Sequence, residues 1–136
     1  MVEDETETSR VGRGLRGHRD LKAYQLAYSL AMQVFNVSKS SPSNEKFSLI
    51  SQIRRSSRSV AANLAEGFRK RQYPNMLVSK FADSDAEATE TQVWLDFARD
   101  CGYLSADDHQ RLSEGYEEVG RMLNGMMKNP ERFAPR

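Results

Sequence analysis

Residues 52–67 read QIRRSSRSVAANLAEG, three arginines set among serines and alanines in a segment of helical character. Arg54, Arg55 and Arg58 suggest phosphate binding, whereas small residues at regular spacing suggest close helix packing. A helix turns about 100° per residue, and on that turn a helix over 45–71 presents three faces rather than two. Phe47, Ile50, Ile53, Ser57, Val60, Leu64 and Phe68 make an apolar stripe. Arg54, Arg58 and Arg69 gather well away from its centre, with Arg55 a little further round, and Lys70 and Arg71 extend the basic run. Gln52, Ser56, Ser59, Asn63 and Glu66 form a third line at steps of four and three.

The same helical period runs outward in both directions. Upstream, Asp20 is placed to cap a first helix carrying Leu21, Tyr24, Tyr28, Ala31, Phe35 and Ser38, and SSPSN at 40–44 breaks the chain. Downstream, QYPN at 72–75 is a second break, with Pro74 suited to a first helical turn. The third helix bears Leu77, Phe81, Ser84, Ala88, Thr91, Leu95 and Ala98 on one seam, and Gly102 is placed as its C-terminal stop. Ser105 with Asp108 reads as the capped start of a fourth helix, seamed by Leu112, Tyr116, Val119, Leu123 and Met126 and closed by Pro130. Four such seams with short connections and no strand signal predict an all-α, antiparallel up-and-down four-helix bundle over 20–133. Residues 1–19, poor in apolar side chains and split between acidic and basic halves, are expected to be a disordered arm.

The chain has 136 residues, one domain's worth, and its 20 Lys and Arg nearly balance its 19 Asp and Glu. A net charge near zero argues against a protein that coats nucleic acid indiscriminately. The charges are nonetheless segregated. Within 52–72 Glu66 alone opposes the six cations, while 83–100 holds Asp83, Asp85, Glu87, Glu90, Asp96 and Asp100 against Arg99. Two opposed segments can satisfy each other, so Arg54 and Arg55 either pair with Asp83, Glu87 and Glu90 or remain available to phosphate. Arg69, Lys70 and Arg71, near a helix end, also suit its dipole. Aromatic residues are not interleaved with the cations, so backbone contact is expected rather than base stacking.

A row of serines lowers helix propensity relative to alanine. It is either a solvated face or a place where another backbone approaches closely. On the second reading Gln52, Ser56, Ser59, Asn63 and Glu66 meet a neighbouring subunit, with Glu87, Glu90, Trp94 and Phe97 of the third helix as the opposing surface; for Trp94 a place in the core is the equal alternative.

Catalytic chemistry finds no constellation. His18 and His109 are far apart in sequence, no Glu-x-x-His pattern suits a bundle metal site, and the nearest arginine upstream of His109 is Arg99. Cys101 is single, so an internal disulfide is impossible and a reducing cytoplasm is the expected compartment. GRGLRG at 12–17 precedes no apolar strand and fails the context of a phosphate loop. No catalytic residue, metal, cofactor, small-molecule substrate or membrane association is expected.

The segment Gln52, Arg54, Arg55, Ser56, Ser59, Val60, Asn63, Ala65, Glu66, Gly67 resembles the second-helix signature of the four-helix bundle proteins related to the 23S ribosomal RNA intervening-sequence proteins. DLKAYQLAYSLA at 20–31 and ETQVWLDFARDCGYL at 90–104 support the resemblance, which covers about 20–133. Ser84 and Asp85 depart from it, standing where many relatives carry Gly-Ser. The resemblance implies a non-catalytic bacterial protein assembled as a homopentameric ring. It also extends to the accessory proteins of diversity-generating retroelements, pentamers that bind a reverse transcriptase and nucleic acid through a basic surface. Two functions follow as expectations: an oligomer that contacts RNA or a ribonucleoprotein through Arg54, Arg55, Arg58, Arg69, Lys70 and Arg71, or an adaptor ring that docks a protein and has no nucleic-acid role.

Overall fold

The computed structural model describes residues 14–135. Four helices carry the described chain: α1 (Lys22–Ser38), α2 (Leu49–Arg69), α3 (Pro74–Asp100) and α4 (Ala106–Lys128), with single 3₁₀ turns at His18–Asp20, Ser43–Glu45 and Pro130–Phe133. No strand occurs among the described residues. Each helix packs on its neighbours in the chain, and α4 packs back on α1, so the four close a bundle around one apolar core. The α2–α3 contact is the most extensive.

The helix boundaries follow local chemistry. Pro74 opens α3, where its missing N–H and fixed φ cost nothing. Gly102 stops it with φ +81°, a conformation that strains any residue with a Cβ. Ser105 Oγ accepts the Asp108 N–H at 3.1 Å and caps α4. Asp20 does not cap α1. Leu21 holds that position, and Asp20 Oδ2 accepts the backbone N–H groups of Arg16 and Gly17. Those two donors hold the Asp20 carboxyl below its usual range.

The core seams of α3 and α4 are those expected, with Met122 added to α4. The seams of α1 and α2 differ from those expected. In α1 the buried residues are Ala23, Ala27, Leu30, Val34 and Ser38, while Tyr28 is exposed and Tyr24, Ala31 and Phe35 are half-buried. The helix is rotated so that small residues face the bundle and the aromatic rings lie toward its edge, because Gly115 of α4 admits Leu30 closely (an added Cβ would stand 2.5 Å from Leu30 Cδ2). Helix α2 begins at Leu49 rather than Glu45, since the chain passes first through the Ser43–Glu45 turn; Phe47 precedes the helix and is 87% exposed instead of joining the stripe. The Glu45 carboxylate accepts the Ser48 hydroxyl at 2.5 Å and the Tyr103 hydroxyl at 2.9 Å, tying this connection to the one between α3 and α4.

Of the expected arm, 1–13 lie outside the described residues. Residues 14–19 belong with the fold: Leu15 packs against the core, and the His18 ring meets Tyr24 edge-on at 4.8 Å.

Candidate nucleic-acid interface

The three faces of α2 have different fates. Its small-polar line meets α3 at Ser56 and Glu66. Ser56 is fully buried, its hydroxyl hydrogen-bonded to that of Thr91 at 2.8 Å. One turn on, Ser84 Oγ donates to the Val60 carbonyl at 2.7 Å, and Gly67 lets the Phe81 ring lie on the helix backbone. Asn63 Nδ2 donates back to the Ser59 carbonyl at 2.9 Å, Glu66 pairs with Lys80 at 2.8 Å, and Gln52 and Ser59 are half-buried. Close packing inside one chain therefore accounts for Ser56, whereas Ser59 is half-buried and lines an open trough. Ser56, expected at a subunit contact, does not reach the surface.

The basic set divides into three kinds. Arg55 is neutralised: its guanidinium meets Glu87 at 3.3 Å and also Glu90, whose carboxylate in turn accepts the Trp94 indole N–H at 3.1 Å. The two carboxylates raise the Arg55 pKa, Glu87 first, and the Trp94 and Arg55 donors hold Glu90 below its usual range. Glu90 and Trp94, expected at an interface, are half-buried and cluster with the exposed Arg55, and Phe97 beside Trp94 is also exposed.

Arg54 and Arg71 are tied to the fold. Arg54 Nε donates to Ser38 Oγ at 2.8 Å and its guanidinium lies 4.7 Å over the Phe35 ring. Arg71 donates to the Phe68 carbonyl at 3.2 Å, satisfying the helix end, and lies over the Phe68 ring. Arg58, Arg69 and Lys70 have no carboxylate partner among the described residues. Arg58 and Arg69 sit eleven positions apart on one side of α2, about 16 Å along its axis.

Both ends of this face are concave. Toward the start of α2, an open trough of about 610 Å³ is lined by Lys46, Arg54, Arg55, Arg58 and the exposed Phe47. At the α2–α3 corner, a cleft of about 380 Å³ is lined by Arg69, Lys70, Arg71, Tyr73 and Met76. The expectation that aromatics stay apart from the cations is overturned. Sequence reasoning missed Phe47 by assigning it to the core and Tyr73 by reading it only as part of a break; the polar, Pro-containing surroundings of each were the signal. An adjoining groove of about 360 Å³ between α1 and α2 shares Arg58 and Ala62 with the trough and is otherwise mostly apolar, lined by Tyr24, Tyr28, Met32, Phe35 and Ala65.

Away from this surface, His109 Nε2 lies 2.7 Å from Asp96 Oδ1, and the Arg99 guanidinium lies against the same ring. Sequence distance hid this cluster, which staples the end of α3 to the start of α4. Among the described residues no group of three His, Cys, Asp or Glu could hold a metal ion, and no helix is long and apolar enough to cross a membrane.

The model of the family described as 23S rRNA-intervening sequence protein matches residues 19–125. A crystal structure of a protein of unknown function from the S23 ribosomal protein family of Bacteroides thetaiotaomicron superposes with a TM-score of 0.70 at 22% identity, covering 78% of this chain and 95% of that one. That likeness carries the fold alone. No curated protein matches the chain.

Proposed function

The chain belongs to the 23S rRNA-intervening sequence protein family, and from that premise we propose that it is a non-catalytic, homo-oligomeric binding protein that contacts RNA or a ribonucleoprotein through the outer face of α2. One observation carries the reading: α2 spends Arg55 on Glu87 and Glu90 yet leaves Arg58 and Arg69, with Lys70 just past its end, without a carboxylate partner among the described residues. Cations left unpaired on one face of a nearly neutral protein form a local positive field suited to phosphates. Repeated around a ring, a patch of about three charges per subunit becomes a substantial polyanion site, because each phosphate contact adds to the affinity. The family's name is consistent with an rRNA partner.

A second reading has its own observation. The apolar α1–α2 groove, with Tyr28 55% and Met32 46% exposed, is a surface an adaptor protein would use. Salt separates the two readings. Phosphate binding weakens steeply as salt rises, whereas apolar docking does not. Titration of labelled RNA at low and moderate salt, with the mass in solution measured alongside, tests the proposal. A pentamer-sized mass with salt-sensitive binding supports it; an oligomer that ignores RNA at low salt contradicts it.

A further inference from the structure

We infer that this surface selects single-stranded RNA, with Phe47 and Tyr73 as stacking platforms for bases at the two ends of the basic face. The inference rests on the RNA reading above and names the form of RNA. Phe47 is the most exposed large apolar side chain among the described residues, at 87%, and it stands in the same trough as Lys46, Arg54 and Arg58. Tyr73 is 54% exposed beside Arg69 and Lys70, and its hydroxyl has no partner among the described residues. Leaving a phenyl ring in water is unfavourable, and neither ring packs in the core.

What the two sites share is an aromatic face next to cations, the combination that suits an unpaired base joined to its phosphate. Duplex RNA hides its base faces inside the stack and offers chiefly phosphates and 2′-hydroxyls, so the rings would gain nothing from it. Between Phe47 and Tyr73 lies the whole of α2, about 31 Å at 1.5 Å per residue. Arg58 and Arg69 stand between the platforms, placed to track the connecting backbone. The ring positions are also independent of the fold: Tyr73 caps α3 through its backbone with no side-chain bond, and Phe47 precedes α2.

The test compares an unstructured RNA oligonucleotide with a fully paired hairpin of equal length, using fluorescence anisotropy on the full chain and on Phe47→Ala, Tyr73→Ala and the double variant. Circular dichroism and mass in solution are recorded for each. Loss of one stacked base lowers affinity by roughly five- to a hundredfold, so each variant should lose at least about fivefold for the single strand and little for the hairpin. A 2-aminopurine base in the strand should be quenched by the full chain and less so by the double variant. Equal affinity of the wild type for both RNAs, or single-strand affinity untouched in the double variant, overturns this inference and leaves the RNA proposal standing. Failure to bind either RNA removes both. Free AMP that competes as well as the oligonucleotide would overturn the strand-length argument and leave a nucleotide site. A variant that keeps its helix content and changes its mass would overturn the inference by assigning that ring to a contact between copies.

Discussion

Thr91 Oγ1 and Ser56 Oγ are hydrogen-bonded at 2.8 Å in a fully buried position between α3 and α2. Each hydroxyl has one proton, so one donates to the other and the second donates to its own helix, with the Glu87 carbonyl at 2.9 Å from Thr91 and the Ile53 carbonyl at 3.4 Å from Ser56. Thr91→Val removes one partner and leaves a buried hydroxyl poorly satisfied, at an expected cost of about 1–3 kcal/mol. The double variant with Ser56→Ala should cost less than the sum of the two singles, because both ends of the bond are then apolar. Urea denaturation of the four proteins measures the coupling, and strict additivity would show that the bond contributes nothing specific.

Two glycines predict opposite signs. A Cβ at Gly67 would stand 2.7 Å from the fully buried Phe81 ring, which has no room to retreat. Gly67→Ala should therefore destabilise by about 1–3 kcal/mol despite the better helix propensity of alanine. At Gly120 the nearest atom is Asp85 Oδ1 at 3.3 Å, on a half-exposed side chain that can shift. Gly120→Ala should stabilise by about 0.5–1 kcal/mol. Thermal or urea unfolding reads both, and a shared sign would contradict the packing described.

Trp94 is the only tryptophan, and its indole N–H donates to Glu90, so its emission reports that carboxylate. The Trp94 and Arg55 donors hold Glu90 below the ordinary 4.5 in the folded chain. The unfolded chain therefore takes up the proton first as pH falls. The stability that Glu90 contributes is full above about 4.5 and is lost as pH drops through the lower folded value. Emission should change in that acid window and the step should vanish in Glu90→Gln. In Arg55→Met, which leaves Glu87 and Glu90 without their shared cation, it should move to higher pH. A step insensitive to both substitutions would refute the cluster.

The α3 seam was readable because Leu77, Phe81, Ser84, Ala88, Thr91, Leu95 and Ala98 recur at unbroken alternating steps of four and three, although Met76, Val93 and Phe97 are exposed on its other faces. In α1 apolar residues occur nearly all round the helix. Tyr24, Tyr28 and Phe35 share the spacing of a core stripe, yet Ala23, Ala27, Leu30 and Val34 take the core, a choice set by the room beside Gly115, 85 positions beyond Leu30. The site was legible to the same extent. Arg54, Arg58 and Arg69 could be placed on one face of α2 from spacing alone. Which of the cations are spent was not readable, because Glu87 reaches Arg55 across 32 positions and Ser38 reaches Arg54 across 16. A close approach is met at Ser56, which packs on α3 of its own chain through the Thr91 hydroxyl.

The most direct test of the account is single-stranded RNA binding at low salt by Arg58→Gln/Arg69→Gln, set against Arg121→Gln, whose side chain pairs with Glu118 on α4 at 2.7 Å. All three substitutions remove one exposed charge each without touching the core. The double α2 variant should lose roughly tenfold or more in affinity and show a shallower dependence on salt, by about one unit of slope per lost phosphate contact. The Arg121 variant should bind as the wild type does. Equal affinity of all three proteins for RNA would contradict the assignment of the unpaired α2 cations as the phosphate-binding face.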